Sequence, residues 1–409
     1  MIRKPSISKL APRHLVMLIC LAEVLSMAGF ATFPALLPVL QREWQFSNSA
    51  AGLISGSFFA GYMLATPLLV GMTDRVDTRR IYLLATMLGV TGGLGFALFA
   101  RDLLTAVLFQ ALAGAGLAGT YMPGLRLLTE HFHGTHQSRG VAFYTATFGV
   151  GTAASLLLAG SCEPLLGWRW TFAVAALGPL VAGPLVFYIF PPLQPRPVIS
   201  TPPALFDFRP VLRNRPAMGY ILGYASHCWE LFGLRSWLPA FFAFSLGLGA
   251  ANSDVLLSAA ALAALINLLG PLASIFGNEV AVRHGRKRMI LITMGASGML
   301  ACLVGFSAPL PIILVFILTA GYFLLVMGDS AALTAGLVAT AEPQRRGATM
   351  ALHSLLGFGA GFVAPLVFGA VLDLAGGQQH VMAWGLAFAS LGIWSLLGVT
   401  VIRLRRWRT

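Results

Sequence analysis

Seven side chains that can carry charge interrupt stretches that are otherwise apolar: Glu23, Arg126, His227, Glu230, Arg235, Asp329 and His353. Their chemistry is proton exchange and anion binding. A carboxyl can be held as acid or as anion, and an imidazole changes charge close to neutral pH. A guanidinium presents a fork of donors matched to carboxylate or phosphate. At bilayer depth a charged group costs about 2.5–3.5 kcal/mol on insertion scales, so such groups face a bundle interior and mark a pathway.

Glu23 and His227 each lie near the middle of their apolar run. In "YASHCWELFGLRSW" (224 to 237), an advance of about 100° per residue sets Glu230 about 60° to one side of His227 and Arg235 about 80° to the other. That arc fits a polar interior and is too wide for a direct Glu230 to Arg235 bridge. Trp237 falls on Glu230's side and is a candidate lining residue, whereas Trp229 points away. Asp329, in "LVMGDSAALTAG" (325 to 336), either accepts a proton or a cationic group together with Ser330 and Thr334, or caps a helix break near Gly328. Arg126 stands close to a helix end, where it either snorkels or meets substrate, and His353 reads as structural. The proton-coupling candidates are therefore Glu23, Glu230, Asp329 and His227. The substrate-binding candidates are Arg235, Arg126, Gln110, Trp237 and Tyr121.

The elements that must position these groups are helices long enough to cross a bilayer, which takes about 20 apolar residues each. Twelve such runs are expected, from 15–40 and 50–70 in the first half to 348–372 and 381–402 in the second. With 57% hydrophobic and 10% charged residues, and a mean hydropathy of +0.81, the chain reads as a polytopic membrane protein rather than a soluble one. The net charge of +13 is a matter of topology. Most of the 27 Lys and Arg fall in alternate connections: the N-terminal stretch, Arg75 to Arg80, Arg139, the middle loop, Arg283 to Arg288, Arg345 with Arg346, and Arg403 to Arg408. The positive-inside rule then makes both termini and the middle loop cytoplasmic. Attraction to anionic lipid headgroups is a secondary effect, and nucleic acid is not an expected partner. The basic N-terminus precedes an apolar run too long for a signal peptide, so that run is expected to be the first span.

Cys20, Cys162, Cys228 and Cys302 are scattered without metal-ligand spacing, so neither a metal nor a disulfide framework is expected. Glycine-rich stretches such as "GLISG" (52 to 56) and "AGAGLAG" (113 to 119) lie inside spans, where small residues let helices approach closely. With no HExxH, no GxSxG in a strand-turn-helix setting and no Walker sequence, the expectation is no enzyme and no cofactor.

The chain also echoes itself. "HQSRGVAF" (136 to 143) recurs as "PQRRGATM" (343 to 350), "MTDRVDTRR" (72 to 80) is answered by "AVRHGRKR" (281 to 288), and Asn48-Ser49 by Asn252-Ser253. The Pro-rich stretch 191–216 lies between the copies. The expected organisation is a bundle over 1–190, a cytoplasmic linker over 191–216 and a second bundle over 217–409. Parallel repeats of this kind place a binding site between two similar bundles.

"GMTDRVDTRRIYLL" (71 to 84) resembles the signature loop between helices 2 and 3 of the major facilitator superfamily, "LGWRWTF" (166 to 172) its entry to helix 6, and "RHGRKRMIL" (283 to 291) the second copy of the loop. The resemblance covers essentially the whole chain. It implies an all-α membrane protein of twelve transmembrane helices in two pseudo-symmetric six-helix bundles, acting as a monomer. It also implies a conformational-switch role for Asp74, Arg75, Arg79 and Arg80. This sequence departs from the pattern at Asp77 and Val282, and at Gln110, where many members carry an Arg tied to proton coupling. It also lacks the helix-5 Pro of many antiporters.

The expected function is secondary transport of a small organic solute across a bacterial inner membrane by alternating access, coupled to protons, with an organic anion favoured. Proton-driven export of drugs or metabolites is the alternative. A membrane sensor that binds without transporting is the distant one.

Overall fold

The computed structural model describes residues 12–131, 134–192, 208–249, 255–342 and 345–404. The Asn252-Ser253 repeat, most of the linker and the first two residues of the 343–350 repeat therefore lie outside the described residues. The described residues are mostly helical, with no strand among them. In chain order the helices are α1 (Pro12–Ser26), α2 (Thr32–Trp44), α3 (Asn48–Met72), α4 (Thr78–Phe99), α5 (Leu103–His131), α6 (Gly134–Ile189), α7 (Arg209–Arg213), α8 (Arg215–Gly249), α9 (Val255–His284), α10 (Arg286–Val304), α11 (Ile312–Gly328), α12 (Ser330–Thr340), α13 (Arg346–Leu374) and α14 (Val381–Leu404).

Among the described residues ten stretches are long and apolar enough to cross a membrane, and two departures from the expected pattern account for the rest of the twelve. The fifth and sixth spans join as α6, which reverses direction at Gly167, where φ is 75°. A side chain there would be held in the left-handed region at a cost of about 1–2 kcal/mol. The first span is broken between α1 and α2. Pro34, in the first turn of α2, has no N–H for the Phe30 carbonyl, and Ser155 of α6 stitches the gap. It accepts from the Ala31 N–H at 2.9 Å and donates to the Ala28 carbonyl at 2.7 Å. The tenth span is likewise interrupted at Asp329, between α11 and α12.

The surface is inverted relative to a soluble protein. Leu68, Leu104, Leu165, Leu272, Phe276 and Met382 are exposed, while Glu23, His227, Glu230, Arg235 and Asp329 are buried. That arrangement suits a hydrocarbon solvent, in which backbone groups are satisfied inside helices and charges turn inward.

The chain divides into two compact units, residues 1–36 with 61–200, and residues 37–60 with 201–409. In the first, α4 packs on α5 and α1 on α6. A Cβ at Gly92 or Gly116 would collide with the backbone of the facing helix, so glycine lets α4 and α5 touch. Leu15, Ile19, Tyr82, Leu127, Tyr144 and Phe190 fill one core of this unit. In the second unit α8 packs mainly on α13 and α14, and α10 on α14.

Residues 37–60 pack with the second unit. The contact is specific. Asp373, at the end of α13, accepts four hydrogen bonds from the first residues of α3: Asn48 N (3.0 Å), Asn48 Nδ2 (2.8 Å), Ser49 N (2.7 Å) and Ser49 Oγ (2.6 Å). The two amides are among the orphan donors that every helix start leaves, and a carboxylate there also complements the helix dipole. Gly52, Gly56 and Gly369 leave no room for a Cβ between α3 and α13.

Candidate functional site

Each unit encloses its own set of polar groups. In the first, Glu23 of α1 is fully buried. Its Oε2 meets the Tyr144 hydroxyl of α6 at 3.0 Å, and Oε1 has no hydrogen-bond partner among the described residues. Tyr144 also reaches two carbonyls of α5, Tyr121 O at 2.9 Å and Thr120 O at 3.4 Å. Its ring stacks on Tyr121 with centroids 5.5 Å apart. A Cβ at Gly124 would strike the hydroxyl, so glycine is what admits it to the α5 backbone. Gln110 is buried on α5 and Tyr121 is half-buried.

In the second unit, His227 of α8 and Asp329 are 2% exposed each. His227 Nδ1 lies 2.8 Å from Asp329 Oδ1 and 3.0 Å from the Val326 carbonyl. The Val326 carbonyl can only accept, so Nδ1 carries the hydrogen. The break between α11 and α12 thus serves to aim the Asp329 side chain at α8. The Asp329 side chain forms no cap bond to the turn it begins. Tyr224 stacks on His227 at 5.8 Å and on His353 at 3.8 Å, and the buried His353 Nδ1 has no partner among the described residues.

Glu230 and Arg235 part company. Glu230 Oε2 accepts from Ser297 Oγ of α10 at 2.9 Å, and Oε1 has no partner among the described residues. Arg235 Nε donates to Asn267 Oδ1 of α9 at 2.9 Å, and its guanidinium lies 5.8 Å from the Phe323 ring centroid of α11. Glu230 forms no ion pair among the described residues, and the same holds for Glu23. A buried carboxylate without a cation beside it is costly.

Trp237 does not line open space. It is fully enclosed, donates Nε1–H to the Pro365 carbonyl at 3.0 Å and stacks on Phe368 at 5.3 Å. A helical-wheel angle gives a direction but not what stands in it, and here α13 and α14 stand in it.

Arg126, a candidate for substrate, is committed to the loop after α3. It donates to Asp74 Oδ1 and Glu130 Oε1 at 2.7 Å each and to Thr73 Oγ1 at 2.6 Å. In the same loop Asp77 caps α4, accepting from Arg79 N at 3.1 Å. The Arg79 guanidinium pairs with Asp77 at 2.6 Å and donates to the Phe187 and Phe190 carbonyls at the end of α6. Asp77, where the sequence departs from the resembled loop, therefore has a local use. Arg75 and Arg80 are exposed.

Tyr144, Asn267, Ser297 and Asp373 escaped sequence reasoning. Asn267 was the most findable, as a lone amide in an apolar run. The others are hydroxyls or a helix-end carboxylate whose partners lie far along the chain.

Residues 19–282 match the family profile described as Major Facilitator Superfamily. Protein spinster homolog 3 of Danio rerio is 24% identical over 246 residues, which cover 58% of this chain and 49% of that protein. The voltage-gated purine nucleotide uniporter of Rattus norvegicus is 26% identical over 234 residues, covering 52% and 50%. The chain thus spans about half the length of these curated relatives. Among solved structures, a bacterial homolog of the human lysosomal transporter Spinster, inward-facing and unoccupied, superposes with a TM-score of 0.75 at 14% identity, covering 97% of this chain and 98% of that one. A D-xylose-proton symporter superposes at 0.76 with 15% identity, covering 95% and 97%. At such identity the likeness speaks for the fold alone.

Proposed function

The chain belongs to the Major Facilitator Superfamily, and from that premise we propose that it is a secondary transporter moving a small organic solute by alternating access, coupled to protons. The observation that carries the coupling is the buried His227–Asp329 pair at 2.8 Å, a carboxylate and an imidazole joined at an interrupted helix. A break inside a span is tolerated where it lines a site, and this one brings two exchangeable groups together. Glu23 and Glu230 are further proton-binding carboxyls.

Arg235 supports an organic anion as the solute, since a guanidinium fixed by Asn267 is a ready counter-charge for a carboxylate. The commitment of Arg126 to Asp74 and Glu130 removes the second charge on which that preference drew. Proton-driven export of a neutral or cationic metabolite is the competing reading. In the same proposal the protein is a monomer of a bacterial inner membrane with both termini cytoplasmic, and the Asp74–Arg126 and Asp77–Arg79 contacts form the switch that changes as the halves rock.

The test is uptake of a panel of radiolabelled carboxylates, and of organic cations as the competing class, into liposomes carrying the purified protein under an imposed pH gradient. Gradient-dependent uptake that is lost in Asp329→Asn and reduced in Glu230→Gln is the expected result. Uptake indifferent to the gradient removes the coupling claim, and a preference for cations replaces the anion reading with the competing one.

A further inference from the structure

We infer that Tyr144 is a positioning residue that reports the protonation of Glu23 to the backbone of α5. The inference deepens the proton-coupled reading and rests on it.

It begins with a count of hydrogens. The Tyr144 hydroxyl has one hydrogen and three acceptors around it: Glu23 Oε2, the Tyr121 carbonyl and the Thr120 carbonyl. The carbonyls can only accept. When Glu23 carries a proton, its O–H donates to the tyrosine oxygen and the tyrosine O–H turns to Tyr121, so the two short contacts are both made. When Glu23 is an anion, the carboxylate claims that one hydrogen, because charge-assisted bonds are roughly twice as strong as neutral ones. The α5 carbonyls then lose their link to α6. Proton loss at one helix thereby changes how two others are tied, which is the kind of two-state element that coupling requires.

The surroundings leave the hydroxyl in control. The titratable groups that face Glu23 are Cys20 on its own helix, Tyr62 of α3, Tyr82 of α4, Tyr121 of α5 and Tyr144 of α6. Among the described residues no cation is seen acting on Glu23. Tyr82 is engaged with Ser26 at 3.1 Å, whereas Tyr144 bonds Glu23 itself. The same count recurs in the second unit, where one Ser297 hydrogen serves Glu230 Oε2 at 2.9 Å and the Met294 carbonyl at 3.0 Å.

The experiment is pH-difference infrared spectroscopy on the full chain in lipid, with protons as the only ligand. Glu23→Gln identifies the carboxyl band of Glu23 by its loss. In the unsubstituted protein that band is expected to rise and fall together with an amide signal from α5. Tyr144→Phe keeps the ring and removes the hydroxyl. It is expected to retain the carboxyl band, move it to higher wavenumber and abolish most of the accompanying amide signal. Gly124→Ala, which leaves both side chains but displaces the hydroxyl, is expected to give the same loss and guards against misfolding of the first variant. An amide signal unchanged in both variants overturns the inference. A carboxyl band that persists in Glu23→Gln instead removes Glu23 from the proton-coupled reading, a failure distinguishable from that of Tyr144.

Discussion

At the scale of single residues, a charge inside a span is informative only together with its partner. Glu230 and Arg235 occupy one helix five residues apart, yet one is answered by Ser297 and the other by Asn267. Trp237 shows the converse. Its position among ionisable neighbours marks it for a binding surface, but its indole is enclosed by Phe368 and Trp384 and tied to the Pro365 carbonyl. Trp237→Ala is therefore expected to cost about 3–5 kcal/mol of stability, as large core truncations do. A fall in melting temperature of the purified protein would register it. Trp237→Phe should keep gradient-driven uptake close to that of the unsubstituted chain. An undiminished melting temperature with abolished uptake in Trp237→Ala would return the residue to the binding surface.

At the scale of elements, the helices were legible because bilayer spans have a minimum length and an apolar composition, and both are properties of contiguous sequence. Their interruptions were legible in part. The Gly328-Asp329 break was foreseeable from a small residue beside a charge. The gap at residues 27–31 depends on Ser155, which is distant in sequence. The docking of α3 on α13 was illegible for the same reason. Asp373 looks like an ordinary helix-end carboxylate until the first amides of α3 are found against it. Asp373→Ala removes four hydrogen bonds and leaves two helix-start amides to seek other partners. It is expected to destabilise the protein by about 1–3 kcal/mol, the usual cost of stranding a polar group. Asp373→Asn, which can still accept at one oxygen, should lose less. Equal melting temperatures for all three proteins would mean that the glycine seam, and not the carboxylate, holds α3 in place.

At the scale of the whole molecule, the sequence repeat and the two compact units tell related stories with different boundaries. The repeat divides the chain at its Pro-rich middle, whereas packing assigns residues 37–60 to the second unit. The candidate site was legible as a set of buried ionisable residues, because their cost in an apolar span makes them conspicuous. How they pair was not, since Glu23 meets Tyr144 and His227 meets Asp329 only once helices distant in sequence are packed. In the proposed cycle, solute movement carries protons through such groups. The most direct measurement is lumenal pH, read with a trapped dye in liposomes of the purified protein when a transported carboxylate is added with no gradient imposed. A solute-driven pH change is expected in the unsubstituted protein and none in Asp329→Asn. Solute entering with no pH change, or the same change in both proteins, would contradict it.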